Sequence, residues 1–315
     1  MILTVTPNPA VDHVYFVNGL RQNDTNRVSR VETDAGGKSV NVARVLAALG
    51  NVVVATGLVA GGNGAFVRQR LDSEAVRHDF VEVSGETRAN VLVEDGSGLP
   101  PTVLSAPGPE TGGVEFELLV AKIATHGPKC SHIVLGGSMP TGLSERDFAT
   151  LVSVAAGTGA KAVVDADGEA LRLAVQAGAD IVKPNVKEAG RLLGRDVTGL
   201  EGAQAAAEAI LKTMRPASGE GVAIVSAGSL GAAMACSAGV FLGEAITVEP
   251  KSTIGSGDSM VAGILHATLA GMGPLDQLSF GLAAGAATAT TDGSRIASRD
   301  EVFGLLPSAK VRAAK

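Results

Sequence analysis

The sequence predicts an α/β fold, a doubly wound and mainly parallel sheet flanked by helices, with a small β-sheet attached. Three observations carry this. From about residue 110 onward, short apolar runs alternate with longer stretches of helical periodicity, the rhythm of successive β-α-β units. Polar residues recur where those runs end, at Ser138, Asp165, Asn185 and Ser226, and ligands gather at the carboxyl ends of strands in open α/β sheets. Earlier in the chain, residues 14–33 alternate polar and apolar in short steps, which predicts strands outside the main sheet. With 315 residues, 45% hydrophobic content and 41 glycines, the chain is long enough for one large domain of this kind.

Taken in order, residues 1–6 form an apolar strand that Pro7 and Pro9 stop, leaving Asn8, Asp12 and His13 at or just beyond its carboxyl end. Asp12 suits a sugar hydroxyl there, and equally a plain turn. Asp34-Ala35-Gly36-Gly37-Lys38-Ser39 then opens a helix whose apolar face is Val42, Val45, Leu46 and Leu49. Its Gly-Lys-Ser is not a phosphate-binding P-loop, because that motif needs a glycine at position 32, which is Glu32. What remains is a diglycine turn that brings Lys38 and Asn41 to the crevice of Asp12; a solvated lysine and a capping asparagine are the plain alternative. A strand over 52–57 leads to the cluster Gly61-Gly62-Asn63-Gly64 and a short helix through Leu71. That cluster lacks the spacing of a dinucleotide-binding turn.

Residues 86–93 alternate as a half-exposed strand with Arg88 and Asn90 on one face. The guanidinium of Arg88 suits a bidentate grip on phosphate. A turn over 96–101 follows, and 102–105 leads out to Pro107-Gly108-Pro109. Then come a helix near 114–125, a strand at 132–135, the turn Gly136-Gly137-Ser138-Met139-Pro140 and a helix from 144. Strand 162–165, a helix, strand 181–182, a helix begun by Lys183-Pro184-Asn185-Val186-Lys187-Glu188, and strand 222–226 before Ala227-Gly228-Ser229-Leu230-Gly231 continue the rhythm. Each polar strand end is explained as well by a helix cap; several on one sheet edge point to a ligand site.

Ser252-Thr253-Ile254-Gly255-Ser256-Gly257-Asp258-Ser259-Met260 stands directly before an apolar run of helical spacing. Free amides at a helix start, together with the positive end of its dipole, favour a phosphate or a developing negative charge. Asp258 beside that terminus is kept ionised and can accept a proton from a bound hydroxyl; an N-cap after a flexible turn is the plain alternative. A small-residue helix over 281–291 ends the pattern at Gly293-Ser294-Arg295. No repeat, low-complexity tract or linker interrupts it, so 1–315 reads as a single domain.

A net charge of −6, no Trp and a single Tyr argue against a nucleic-acid partner, while leaving room for a local basic pocket. The apolar start lacks a basic leader and a membrane-length run, so the expectation is no membrane role and a cytoplasmic location. Cys130 and Cys236 lie far apart without metal-ligand spacing and read as reduced, buried thiols.

Thr6-Pro7-Asn8-Pro9-Ala10-Val11-Asp12, Ala35 to Ala43, Thr87-Arg88-Ala89-Asn90, Lys183 to Glu188 and Thr253 to Met260, in this order, resemble the ribokinase-like PfkB sugar kinases. Within that family the chain is most similar to the 1-phosphofructokinase and tagatose-6-phosphate kinase branch. The resemblance implies an α/β core with a β lid, here at about 13–34 and 87–105, that closes over the sugar and pairs two copies as a homodimer. It implies Asp258 as catalytic base, with Gly255, Ser256 and Gly257 stabilising the transferring phosphoryl group. It assigns Asp12, Gly37, Lys38, Asn41 and Ser138 to the sugar, and Arg88 and Asn90 to the phosphate that the sugar already carries. ATP would lie along Lys183, Asn185, Ser226, Gly228, Gly231 and Thr253, with Glu188 serving Mg2+ and K+ as a further candidate ion.

The implied reaction converts fructose 1-phosphate to fructose 1,6-bisphosphate. Tagatose 6-phosphate or fructose 6-phosphate are the alternative acceptors, and a neutral-sugar kinase or a catalytically silent sugar-phosphate sensor are the other readings. Ser256 where the family more often has Ala, Ser39 in place of Gly, and Gly136-Gly137-Ser138-Met139-Pro140 in place of Ser-Gly-Ser-Leu-Pro are departures that bear on sugar preference.

Overall fold

β1 (Ile2–Thr6) is an interior strand of the main sheet, and its five residues are all buried. In the computed structural model, which describes residues 1–96 and 101–314, Pro7 and Pro9 carry the chain out of that sheet into β2 (Ala10–Phe16) and antiparallel β3 (Arg30–Gly36). α1 (Lys38–Ala48) returns it to the main sheet at β4 (Val53–Val59), and Val42, Val45, Leu46 and Leu49 are the buried face the pattern predicts. α2 (Gly61–Ser73) and two short strands, β5 (Arg77–His78) and β6 (Val81–Glu82), lead to β7 (Arg88–Glu94) and β8 (Thr102–Leu104). Of the turn expected over 96–101, residues 97–100 lie outside the described residues.

The second half alternates: α3 (Gly113–His126), β9 (His132–Gly136), α4 (Glu145–Gly157), β10 (Lys161–Asp165), α5 (Gly168–Gln176), β11 (Ile181–Val182), α6 (Val186–Leu193), α7 (Gly199–Thr213) and β12 (Val222–Ser226). A hairpin of β13 (Gly231–Cys236) and β14 (Gly239–Glu244) follows, then α8 (Ser256–Leu269), α9 (Pro274–Ala289), α10 (Arg299–Leu305) and β15 (Lys310–Ala313).

The main sheet runs β15-β14-β13-β12-β11-β10-β9-β1-β4-β5, with β6 also on β4. It is parallel from β12 to β5 and antiparallel through β13, β14 and β15. Because helices cover both faces, its central strands are uninterrupted apolar runs and not alternating ones. On one face Leu58, Leu119, Phe148, Leu151 and Leu171 form a core under α3, α4, α5 and α7. On the other, Val45, Leu46, Leu265 and Leu282 pack under α1, α8 and α9. The small sheet, ordered β3-β2-β7-β8, stands apart. Its register puts Asp12, Arg88 and Asn90 on one face, and His13, Tyr15, Val31, Val91, Val93 and Leu104 on the other.

Three features depart from the expected layout. The glycine cluster at 61–64 is the first turn of α2 and not a separate loop, because the Glu86 carboxylate accepts the amides of Gly62 (3.2 Å) and Asn63 (2.5 Å). The antiparallel extension β13 to β15 and the helix α7 are additions; the alanines of β13 are buried without alternation, whereas α7 buries Ala203, Ala206, Ala207 and Ile210 at helical spacing. Cys130 and Cys236 are free thiols, half-buried instead of buried. No helix among the described residues is long and apolar enough to cross a membrane.

α8 and α9 cross at backbone contact. A methyl group on Gly263 would collide with the carbonyl of Phe280, one on Gly281 would stand 2.7 Å from Ile264, and one on Gly285 would stand 3.1 Å from the carbonyl oxygen of Ser256.

Candidate active site

The loop before α8 is held to the end of α9, since the amides of Lys251 and Ser252 both donate to the carbonyl of Ala289 (2.8 and 3.3 Å). Gly255 then takes a left-handed conformation (φ 73°) as N-cap of α8, a backbone state that glycine adopts without strain. Ser256, Gly257 and Asp258 form the first turn, ahead of the first helical bond from Ser259 to Gly255. The Ser256 amide bends back to Thr253 (3.3 Å), so the turn's amides without helical partners are those of Gly257 and Asp258. Asp258 is not the N-cap: it is buried, and Oδ2 accepts a 2.8 Å hydrogen bond from Nδ2 of Asn41 on α1. Asn41 is itself buried and is no capping residue.

Beside this turn lies a three-membered ion cluster. Asp165, at the carboxyl end of β10 and 1% exposed, receives the Lys38 ammonium on Oδ1 at 2.7 Å and the Lys183 ammonium on Oδ2 at 3.2 Å. Burial alone would raise the Asp165 carboxyl, but Lys183 and Lys38 together hold it below the usual carboxylate range. Burial likewise opposes the charge of Lys38, and Asp165, Asp258 and Glu188 together outweigh it and keep that ammonium protonated. Asp258 goes the other way: burial first, and the negative charge of Asp165 second, push its carboxyl up to about 6, against the pull of Lys38, Asn41 and Lys183.

These groups line one cleft of about 630 Å³. Of the residues picked out in the sequence, Lys38, Lys183, Asn185, Glu188, Ser226, Gly228, Gly231, Thr253, Ser256, Gly257 and Asp258 all meet there. Its far wall is apolar, made by Ile246, Val248 and Pro250 from the stretch after β14 and by Leu282, Ala286 and Ala289 from α9. Sequence reasoning missed this wall, which carries no charge and no motif, and it missed the double role of Asp165. Asn185 does cap α6: its Oδ1 accepts the amides of Lys187 (2.9 Å) and Glu188 (3.0 Å), while Glu188 Oε2 accepts that of Asn185 (2.8 Å). Among the described residues no group of three or more His, Cys, Asp or Glu is placed to hold a metal ion. Glu188 lines the cleft beside Asp165 and Asp258, with its Oε2 taken by the Asn185 amide; a carboxylate is the ligand type that a hard cation such as Mg2+ takes.

The remaining sequence-picked residues lie on the small sheet and the loops beneath it. Asn90 Nδ2 donates to Asp12 Oδ1 (2.8 Å), and the Ser105 hydroxyl bonds Asn90 Oδ1 (3.2 Å) and accepts from Arg88 (2.9 Å). Arg88 also donates to the carbonyl of Ala106 (3.1 Å), while its Nε is buried without a partner. Gly36 is obligatory, since a side chain there would overlap the Asp12 carboxylate, and Gly37 (φ 113°) makes the turn into α1. Ser138 sits on the exposed loop after β9, where its hydroxyl is 3.4 Å from Asn8 Nδ2. The sheet is tied to α1 by Arg44, 2% exposed, which donates to Asp34 (2.9 Å), to Glu74 (2.7 Å from both Nε and a terminal nitrogen) and to the Ala35 carbonyl (3.1 Å). Asn41 joins the two halves, reaching Asp258 from the helix that Gly37 begins.

Residues 6–301 match the family model described as pfkB family carbohydrate kinase. The chain is 37% identical over 272 residues to a 1-phosphofructokinase of Rhodobacter capsulatus, covering 86% of this chain and 84% of that protein. It is 34% identical over 306 residues to a 1-phosphofructokinase of Haloferax volcanii, covering 96% and 95%. Among solved structures it resembles phosphofructokinase-2 from Escherichia coli in complex with substrates and products (TM-score 0.89, 29% identity, 97% and 98% covered). Structures of that same bacterial protein also exist in complex with potassium and in a tetrameric inhibited form.

Proposed function

The chain belongs to the pfkB family of carbohydrate kinases, and from that premise we propose that it moves the terminal phosphoryl group of ATP onto a ketohexose that already carries one phosphate. Fructose 1-phosphate, giving fructose 1,6-bisphosphate, is the acceptor we infer; it is the one that the names of the two relatives support. The observation that carries the reading is a second cationic group, apart from the lysines of the cleft. The amide turn at Gly257 and Asp258 suits one phosphate, and Arg88, with a buried unpartnered Nε on the same sheet face as Asp12, suits another. A neutral sugar has no use for the second.

In this reading the apolar wall of Ile246, Val248 and Ala286 takes the adenine, and the phosphates run past Gly228, Gly231, Asn185 and Thr253 to Lys183. The sugar lies between Asp12, Gly37, Asn41 and Ser138, its own phosphate on Arg88 and Asn90. Asp258 takes the proton of the acceptor hydroxyl as that oxygen bonds to the γ-phosphorus and the bond to ADP breaks. The turn amides and the two lysines balance charge on the phosphoryl oxygens, which is most of what a loose transition state requires. Mg2+, held through Glu188, would neutralise phosphate charge. The small sheet acts as a lid over the sugar. Its outer face, with Val31 50% and Leu104 62% exposed, is suited to cover by a second copy, so a homodimer is part of the proposal. A cytoplasmic location, where ATP is supplied, goes with it, and K+ is the further ion to test.

The test is ADP release with Mg-ATP against fructose 1-phosphate, tagatose 6-phosphate, fructose 6-phosphate, free fructose and ribose. A dominant kcat/KM for fructose 1-phosphate is expected; activity confined to the unphosphorylated sugars would overturn the reading. Arg88→Ala is expected to raise KM for the phosphorylated ketose by about 10- to 100-fold, the scale of a lost charged hydrogen bond, with KM for ATP unmoved. A variant with unchanged kcat/KM would remove Arg88 from the phosphate.

The pH dependence has a definite sign. Asp258 works ionised and its carboxyl is raised to about 6, with Asp165, Lys38, Asn41 and Lys183 facing it, so activity is low below that pH, rises through it and levels above. A phosphate ester titrates near the same pH, so the limb must be present in kcat as well as in kcat/KM. A kcat that stays flat down to pH 5 would contradict this.

A further inference from the structure

We propose that Asp165 is a positioning residue for phosphoryl transfer: its one carboxylate holds the ammonium groups of Lys38 and Lys183 together at the transfer point, one from each half of the cleft. The inference rests on the kinase reading above and adds to it a residue assigned there to neither substrate. Lys38 is the first residue of α1 and belongs to the sugar side; Lys183 follows β11 and belongs to the nucleotide side. Each occupies a different oxygen of the same carboxylate, at 2.7 and 3.2 Å.

Lysine is a compact charge on a flexible stem, free to swing toward any phosphate within reach. Here the Lys183 side chain is enclosed, and Lys38 is tethered at both ends, by α1 and by Asp165. A methyl on Gly136 would stand 3.1 Å from Lys38 Cβ, and one on Gly257 would stand 3.4 Å from Lys183 Nζ, so Lys183 lies against the amide turn itself. An ammonium has three donors, and one bond to Asp165 leaves the others free for phosphoryl oxygens. The carboxylate is buried among these two cations and faces Asp258; Oδ1 accepts the Lys38 hydrogen bond, and Oδ2 is ion-paired with Lys183 without hydrogen-bond alignment.

This arrangement separates order from attraction. As a negative charge, Asp165 works against the binding of a polyphosphate; as a bridge, it fixes where the two positive charges stand when transfer occurs. Asp165→Asn removes the charge and turns one of the two oxygens into a donor that repels a lysine. We expect kcat to fall about 10- to 100-fold, the scale of a misplaced catalytic group, while ADP affinity measured by calorimetry is equal to or tighter than that of the unaltered protein. The acid limb of kcat should also move to lower pH, because Asp258 no longer faces a second carboxylate. Asp165→Glu, which keeps the charge and displaces it, should lose kcat with the limb unmoved, and it serves if the Asn variant does not fold.

A kcat within about threefold of the unaltered protein in either variant overturns the proposal. So does a joint fall of kcat, ADP affinity and melting temperature, which would mark a purely structural role. Failure of the kinase reading would look different, as no ADP release from the unaltered protein on any sugar, and would sink both.

Discussion

Asp258→Asn is expected to lower kcat by about 10² to 10⁴-fold, the usual effect of removing a general base, while sugar and nucleotide binding are largely kept. The amide keeps an oxygen for the Asn41 hydrogen bond (2.8 Å) and keeps the shape of the first turn of α8, so what is lost is the ability to take a proton. The same substitution should stabilise the fold. A carboxyl that burial raises to about 6 binds its proton more tightly folded than unfolded, so fold stability falls as pH rises from the unfolded value toward 6, and ionised Asp258 is a cost at every pH above. Relief on the order of 1–3 kcal/mol at pH 7.5 is expected, absent at pH 4. Steady-state ADP release and urea titrations at the two pH values check both halves. A variant that retains more than a tenth of the original kcat would move the base elsewhere.

Arg44→Ala should cost about 3–5 kcal/mol, the penalty of breaking a buried ion pair by removing one partner. The guanidinium is almost wholly enclosed and serves Asp34 of β3, Glu74 at the end of α2 and the Ala35 carbonyl at once. Without it Asp34 keeps Arg70 at 2.7 Å, but the joint between small sheet and α1 loses its centre. Chemical denaturation gives the loss directly; a change below about 1 kcal/mol would show that the neighbouring groups pair without it. Because α1 also carries Lys38 and Asn41, a folded Arg44 variant should in addition bind sugar more weakly.

Much of this site could be read along the chain. The stretch Thr253 to Asp258 declares a helix start with bare amides, and Gly36-Gly37 declares a turn that brings Lys38 and Asn41 inward. These signals are local: a few consecutive residues set a backbone conformation, and the chemistry follows from it. Asp165 is legible in the sequence only as one more polar strand end, since its meaning comes from one lysine 127 residues before it and another on the neighbouring strand's end in the fold. Arg44 looked like an ordinary polar position between apolar Val42 and Val45. Its burial depends on Asp34 and Glu74, which the sequence separates from it. The apolar wall of the cleft was silent because Ile246, Val248, Leu282 and Ala286 look like any core residues until a fold leaves a space beside them.

The crossing of α8 and α9 has a mechanical consequence. Backbone presses on backbone at Gly263 and Gly285, and the Ile264 side chain packs onto Gly281, so the helix bearing Asp258 cannot slide or tilt without moving its neighbour. The base and the end of the cleft behind it therefore belong to one two-helix block. Gly263 lies little more than one helical turn beyond Asp258, and Gly285 backs onto the carbonyl of Ser256. Three glycines outside the charged cluster in this way fix where the base stands.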